Sequence, residues 1–223
     1  MDDQIYLDVG NSNTKWKFKG IYFDVPTNEF NLSKLPESSK IWISNVSPTF
    51  VVNSKFKITL VESQARYKSL VNSYEKSSML GSDRWLAMIA SYELNPDKGF
   101  ILVDIGTAIT IDVVDNSGLH LGGVIFPGLH KIRESFDNFA VSDEIKTNEI
   151  SQSTEDAWSI GTLDLIVNGI NRKVNDIRVS NPDLDIYLTG GGVNEIDQFL
   201  DFTYKFHKNL VLDGLELFAN NMG

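Results

Sequence analysis

Three carboxylates in this chain stand where they could do chemistry: Asp8, Asp83 and Asp104. Asp8 follows the apolar run Ile5-Tyr6-Leu7 and opens Asp8-Val9-Gly10-Asn11-Ser12-Asn13-Thr14-Lys15. A carboxylate at a strand end can hold a hydrated Mg²⁺, a glycine lets backbone N–H groups approach phosphate oxygens, and Lys15 can neutralise their charge. Asp104 opens Asp104-Ile105-Gly106-Thr107-Ala108-Ile109-Thr110, which offers the same chemistry without a lysine. Asp83 lies in Gly81-Ser82-Asp83-Arg84, where a carboxylate beside a guanidinium can serve as a general base next to an anion clamp. Taken singly, each stretch has a plainer reading. The two loops can be hairpins with Asx-type turn bonds, and Asp83 can be a helix cap beside a surface arginine. Neither loop is a Walker loop or a dinucleotide fingerprint, because GxxxxGK[ST] and GxGxxG are both absent.

What shifts the balance is repetition. IYLDVGNSNTK at Ile5 and ILVDIGTAITI at Ile101 align as three apolar residues, Asp, a branched residue, Gly and a later Thr. Asp8 matches Asp104, Gly10 matches Gly106 and Thr14 matches Thr110, a domain's length apart rather than at a solenoid period. Two lobes, each with its own phosphate-handling loop, are expected to face each other across a cleft.

The elements that must carry these loops follow from periodicity. Strands are predicted at Ile5–Asp8, Thr14–Phe23, Ile41–Val46, Phe56–Val61, Phe100–Asp104, Thr110–Val114, Leu121–Phe126 and Asp185–Thr189. Trp85, Leu86, Met88, Ile89 and Leu94 fall at helical spacing, predicting a helix from Ser82 to Leu94 capped by Ser82 or Asp83. Further helices are predicted after Pro127-Gly128, from about Thr154 to Val179 behind Ser153, and from near Asn194. Gly122-Gly123 can bring a strand backbone against a ligand or simply lead a strand into the Pro127-Gly128 turn, and Thr189-Gly190-Gly191-Gly192 resembles an adenosine or phosphate platform at a helix start or a flexible strand-to-helix connection. His120, His130 and His207 show no metal-ligand spacing and are read as structural, and the four Trp and thirteen Phe as core.

Bulk composition narrows the class. With 20 Lys and Arg against 30 Asp and Glu, the net charge of −10 excludes a general attraction to nucleic acid or anionic membrane. Without Cys there is no disulfide framework, thiolate metal site or cysteine nucleophile. No signal-peptide pattern opens the chain, and no apolar run approaches the roughly 18 residues of a membrane span. A cytoplasmic protein that binds neither nucleic acid nor membrane is expected.

In order, DVGNS at Asp8, GSDR at Gly81, DIGTAIT at Asp104, GGVIFPG at Gly122 and TGGG at Thr189 resemble the type III pantothenate kinases. That family belongs to the superfamily of acetate and sugar kinases and actin. The resemblance implies an α/β chain with a duplicated ribonuclease H-like, actin-like ATPase fold: two lobes of mixed sheets flanked by helices around a central cleft. Residues 1–98 would form the N-terminal lobe and 99–223 the C-terminal lobe. It further implies ATP-dependent phosphorylation of pantothenate to 4'-phosphopantothenate, the first step of coenzyme A synthesis, by a homodimer.

The same resemblance assigns residues. Asp8 would hold Mg²⁺, and Gly10, Asn11, Ser12 and Lys15 would line the ATP phosphates with Gly106, Thr107, Ala108, Gly190 and Gly191. Asp83 would be the general base, and Tyr74, Gly81, Ser82 and Arg84 would contact pantothenate. Thr154 would reach the neighbouring subunit's pantothenate, and Asp104 would bind a monovalent cation, K⁺ or NH₄⁺. The chain departs from the family pattern in three ways. No proline lies between Tyr74 and Gly81, Ser12 stands where threonine is common, and the chain is short. Another small-molecule kinase of the superfamily, or a non-catalytic regulator on the same fold, stands as the alternative.

Overall fold

The computed structural model describes residues 3–37, 40–47, 56–136, 138–142, 147 and 149–222. The first sheet contains β1 (Gln4–Val9), β2 (Asn13–Phe18), β3 (Ile21–Pro26), β4 (Lys40–Asn45) and β5 (Ile58–Leu60), in the order β3-β2-β1-β4-β5. β1 runs antiparallel to β2 and parallel to β4. Ile5, Leu7 and Val9 are buried on one face of this central strand, while the other face carries Gln4, buried Tyr6 and Asp8. The segment Thr14–Phe23, expected as a single strand, is two strands. Lys19 and Gly20 both take positive φ, 49° and 78°, and so make the tight turn that joins β2 to β3. A two-stranded ribbon of β6 (Arg66–Tyr67) and β7 (Leu70–Val71) precedes α1 (Ser82–Leu94).

The second sheet contains β8 (Phe100–Ile105), β9 (Ala108–Val114), β10 (His120–Pro127), β11 (Asp185–Thr189) and β12 (Lys205–Phe206), in the order β10-β9-β8-β11-β12. Strand for strand this repeats the first sheet, with β8 in the place of β1 and parallel to β11 as β1 is to β4. The fold is therefore a duplicated ribonuclease H-like α/β fold. Its helices are α2 (Leu129–Arg133), α3 (Thr154–Ser180), the single turn α4 (Val193–Ile196) and α5 (Leu210–Met222). α3 enters through Ser153, whose side chain accepts the Asp156 N–H, and it buries Leu163, Ile166, Val167, Ile170 and Val174 against the sheet.

Contacts divide the chain into two compact units. Residues 1–98, 114–122 and 209–223 form the first, and 99–113 with 123–208 the second. The expected C-terminal lobe 99–223 is thus interrupted by the β9–β10 turn and stops before α5. That last helix packs on α1 so closely that a side chain at Gly214 would collide with the Leu86 carbonyl. It is also tied to the first sheet. Lys17 Nζ lies 3.1 Å from Asp213 and 2.7 Å from Glu216, and the Tyr22 hydroxyl donates to the same Asp213. Burial alone would lower the Lys17 pKa, but its bonds to Glu216, Tyr22 and Asp213 outweigh that and raise it. Among the described residues no helix is long and apolar enough to cross a membrane.

Candidate functional site

In the first unit Asp8 sits near the end of β1, in register with Lys15 of β2 on one side and Ser44 of β4 on the other. The loop that follows closes on itself, since the Gly10 N–H donates to the Asn13 carbonyl at 3.0 Å. Asn11, Ser12 and Asn13 are exposed at its tip. A residue not singled out by the sequence braces it. Thr27, just past β3, donates its hydroxyl to the Gly10 carbonyl at 2.9 Å and its N–H to the Ser12 carbonyl at 2.8 Å. Buried Thr14 lies 3.1 Å from the same hydroxyl.

The β4 side of Asp8 leads to the second group. Buried Ser44 lies 3.0 Å, hydroxyl to hydroxyl, from Ser82, the first residue of α1. Ser82 is thereby occupied, and the helix has Gly81 as its N-cap rather than Ser82 or Asp83. Asp83 instead lies in the first turn, where the helix dipole favours a carboxylate, and accepts the Arg84 N–H at 2.8 Å. Its carboxylate folds back over Gly81, where an added Cβ would stand 2.5 Å from Oδ1. Arg84 is 8% exposed and donates Nη1–H to the Tyr74 hydroxyl at 3.1 Å. Asp83, Arg84 and Tyr74 are thus one group, joined through Ser82 and Ser44 to the strand beside Asp8. A serine pair thirty-eight residues apart in sequence leaves no local signal, so Ser44 escapes a reading by motif.

In the second unit Asp104 lies near the end of β8 as Asp8 does in β1. Its loop is tighter: the Gly106 N–H donates to the Ala108 carbonyl at 3.0 Å, and β9 begins at Ala108. Two glycine stretches converge on it. Gly128 donates N–H to the Thr107 carbonyl at 2.9 Å, and a Cβ there would lie 2.7 Å from that oxygen. Gly190 holds φ at +105°, and its Cβ would lie 2.5 Å from the Asp104 carboxylate, so only glycine fits. Gly192 donates N–H to the Ile105 carbonyl at 2.9 Å. Gly191 faces open space, and Thr154 is exposed on the first turn of α3.

Among the described residues no cluster of three or more His, Cys, Asp or Glu could hold a metal by itself. A single carboxylate such as Asp8 suits Mg²⁺ that arrives with a nucleotide, because that ion keeps waters and takes most ligands from phosphate oxygens. Asp104 has no basic side chain in its loop, and the Gly190 backbone closes against its carboxylate.

A duplicated β3-β2-β1-β4-β5 sheet, with an Asp-x-Gly loop at the end of each first strand, is a fold found among actin-like ATPases and sugar kinases. The likeness of fold extends to a protein named as a 2-dehydro-3-deoxygalactonokinase from Sinorhizobium meliloti, at TM-score 0.60 and 11% identity over 98% of this chain and 99% of that one. The sequence is more particular. The profile of the family described as type III pantothenate kinase matches residues 22–176. A type III pantothenate kinase of Pseudoalteromonas atlantica is 34% identical over 234 residues, with 95% of each chain covered. A Campylobacter jejuni structure, named for a Baf family transcriptional activator, superposes at TM-score 0.66 and 25% identity with 98% of each chain covered. This chain belongs to the type III pantothenate kinase family.

Proposed function

We propose that this chain transfers the γ-phosphoryl group of ATP to pantothenate, giving 4'-phosphopantothenate, and works in the cytoplasm as a homodimer. The observation that carries the reading is the Asp83-Arg84-Tyr74 group at the start of α1, tied through Ser82 and Ser44 to the strand beside Asp8. Arg84 is a buried guanidinium with its fork partly held by Tyr74, a suitable partner for the pantothenate carboxylate. Asp83 accepts the proton of the substrate hydroxyl as its oxygen bonds to the γ-phosphorus and the bond to the β–γ bridging oxygen breaks. ADP leaves and the proton passes to solvent.

Asn11, Ser12 and Lys15 meet the phosphates from the exposed first loop, with Gly10 giving close backbone approach. Mg²⁺ beside Asp8 would neutralise charge on the phosphate oxygens. Asp104 would hold K⁺ or NH₄⁺, while Gly106, Thr107, Ala108, Gly190 and Gly191 contact nucleotide and Gly81 borders pantothenate. Thr154, exposed on α3, is free in space to serve a second subunit. Phosphoryl transfer asks for positioning and charge neutralisation rather than covalent help, so this set suffices.

A coupled ADP assay with ATP and Mg²⁺, run with and without pantothenate and K⁺, tests the reading. ADP release that depends on both is expected, and Asp83→Asn is expected to lower turnover at least ~100-fold with an unchanged circular dichroism spectrum. Preference for a sugar acceptor would redirect the assignment within the superfamily. The name of the Campylobacter jejuni relative favours a second reading, a regulator of transcription. The net charge of −10 opposes direct DNA binding, and tight, salt-sensitive retardation of DNA would restore it.

A further inference from the structure

Tyr74 lies outside any helix or strand, in the segment between β7 and α1. Asn72 fixes its backbone by accepting the Tyr74 N–H at 3.0 Å, but a loop tyrosine still has two side-chain torsions to settle. The feature that meets its ring is His120. The two rings stack with centroids 5.9 Å apart and planes 11° from parallel. His120 is fully buried and opens β10, directly after the turn that ends β9. That turn is fastened to β7, where the Val71 N–H donates to the Gly118 carbonyl at 2.8 Å and Val71 bridges Leu119. The imidazole is therefore carried by a strand end rather than by a loop. Tyr74 in turn accepts from Arg84 through its hydroxyl, and the guanidinium carbon lies 5.8 Å from the ring centroid. Imidazole, phenol and guanidinium form a series in which the first member is the anchored one.

We infer that His120 is a positioning residue for the substrate side of the site: its ring fixes the plane of Tyr74, and the Tyr74 hydroxyl then aims Arg84. The inference rests on the kinase reading and adds a residue that reading does not use. Complete burial keeps His120 from touching substrate, so its whole effect passes through Tyr74.

The test compares kcat and both KM values, together with thermal melting, for the wild type, His120→Ala, His120→Phe, Tyr74→Phe and the His120→Ala/Tyr74→Phe double variant. His120→Ala is expected to raise the pantothenate KM about three- to tenfold, the range one aromatic pair contributes. The ATP KM and kcat move less than about twofold. His120→Phe keeps a stacked ring and recovers most of the loss. In the double variant the pantothenate KM stays near that of Tyr74→Phe alone, because both changes act through one hydroxyl.

Folded His120→Ala with an unmoved pantothenate KM, equal rises for both substrates, or additive effects in the double variant would each overturn the inference. If His120→Ala does not fold, His120→Phe decides: a pantothenate KM raised as far as in Tyr74→Phe overturns it, and one near wild type supports it. A wild type that releases no ADP with pantothenate overturns the kinase reading itself, whereas an active wild type with any of the other failures overturns this inference alone.

Discussion

Gly10 and Gly106 hold the same place in their sheets, each two residues past the aspartate of the first strand, yet their surroundings differ in kind. The first loop presents Asn11, Ser12 and Asn13 to solvent, has Lys15 on the adjoining strand, and is braced from behind by Thr27. The second has no basic side chain and is packed from outside by Gly128, Gly190 and Gly192, whose backbones lie against its carbonyls. Duplication supplied one scaffold twice. The first copy carries exposed polar side chains and a nearby lysine, while the second keeps Gly106 and Ala108 exposed but has glycine backbones packed against its carbonyls. Breaking that close packing should therefore damage the second loop far more than any equivalent change damages the first.

The largest expected effect is at Gly190. An alanine there needs φ near +105° and puts its Cβ 2.5 Å from the Asp104 carboxylate, so the loop must shift. Gly190→Ala is expected to lower kcat/KM at least ~100-fold, the order that a misplacement of about 1 Å costs, and to lower the melting temperature. Gly191→Ala, with nothing within 4 Å of its Cβ, is expected to leave the melting temperature within about 2 °C. Equal damage at the two positions would show that the glycines act by flexibility rather than by close approach.

The aspartates separate the loops next. Asp8→Asn is expected to raise the Mg²⁺ concentration for half-maximal activity about tenfold or more, and Asp104→Asn to do so for K⁺ while leaving the Mg²⁺ requirement within about twofold. Titrating each cation against each variant reads this directly. If both variants shift the Mg²⁺ curve alike, the two loops are functionally equivalent and the contrast drawn from their packing fails.

Much of this was legible in the chain because the signals are local. Asp, Gly and Thr repeat at matched places, and helix α1 has the expected ends Ser82 and Leu94 because Trp85, Leu86, Met88 and Ile89 mark its buried face. What escaped depends on partners distant in sequence. Thr27 braces Gly10 and Ser44 meets Ser82 across gaps with no periodic mark. His120 was read as structural from spacing alone; it is buried, but what it packs on is Tyr74. The helix α5 did have a signal, with Leu210, Leu212, Leu215 and Phe218 all buried on one side. Its attachment to the first sheet through Lys17 had none, since that pairing joins the two ends of the chain.

The turns of the two hairpins extend the contrast on a smaller scale. Between β2 and β3 the chain reverses through Lys19 and Gly20 alone, whereas between β9 and β10 Asp115 organises a longer turn. Its carboxylate accepts the Ser117 hydroxyl at 2.6 Å and the N–H groups of Ser117 and Leu119 at 2.8 and 3.0 Å. Partial burial would raise the Asp115 pKa, but these hydrogen bonds outweigh it and hold the carboxyl below its usual value. A depressed folded-state pKa contributes stability that is present above the unfolded value and is lost as pH falls through the folded one. Because the group is only partly buried, screening limits the contribution to about 0.5 kcal/mol. Asp115→Ala is thus expected to melt about 1–2 °C below wild type near neutral pH, and the gap should close as pH falls below about 4. A gap that persists unchanged in acid would mean that the turn is held by its backbone rather than by the ionised carboxylate.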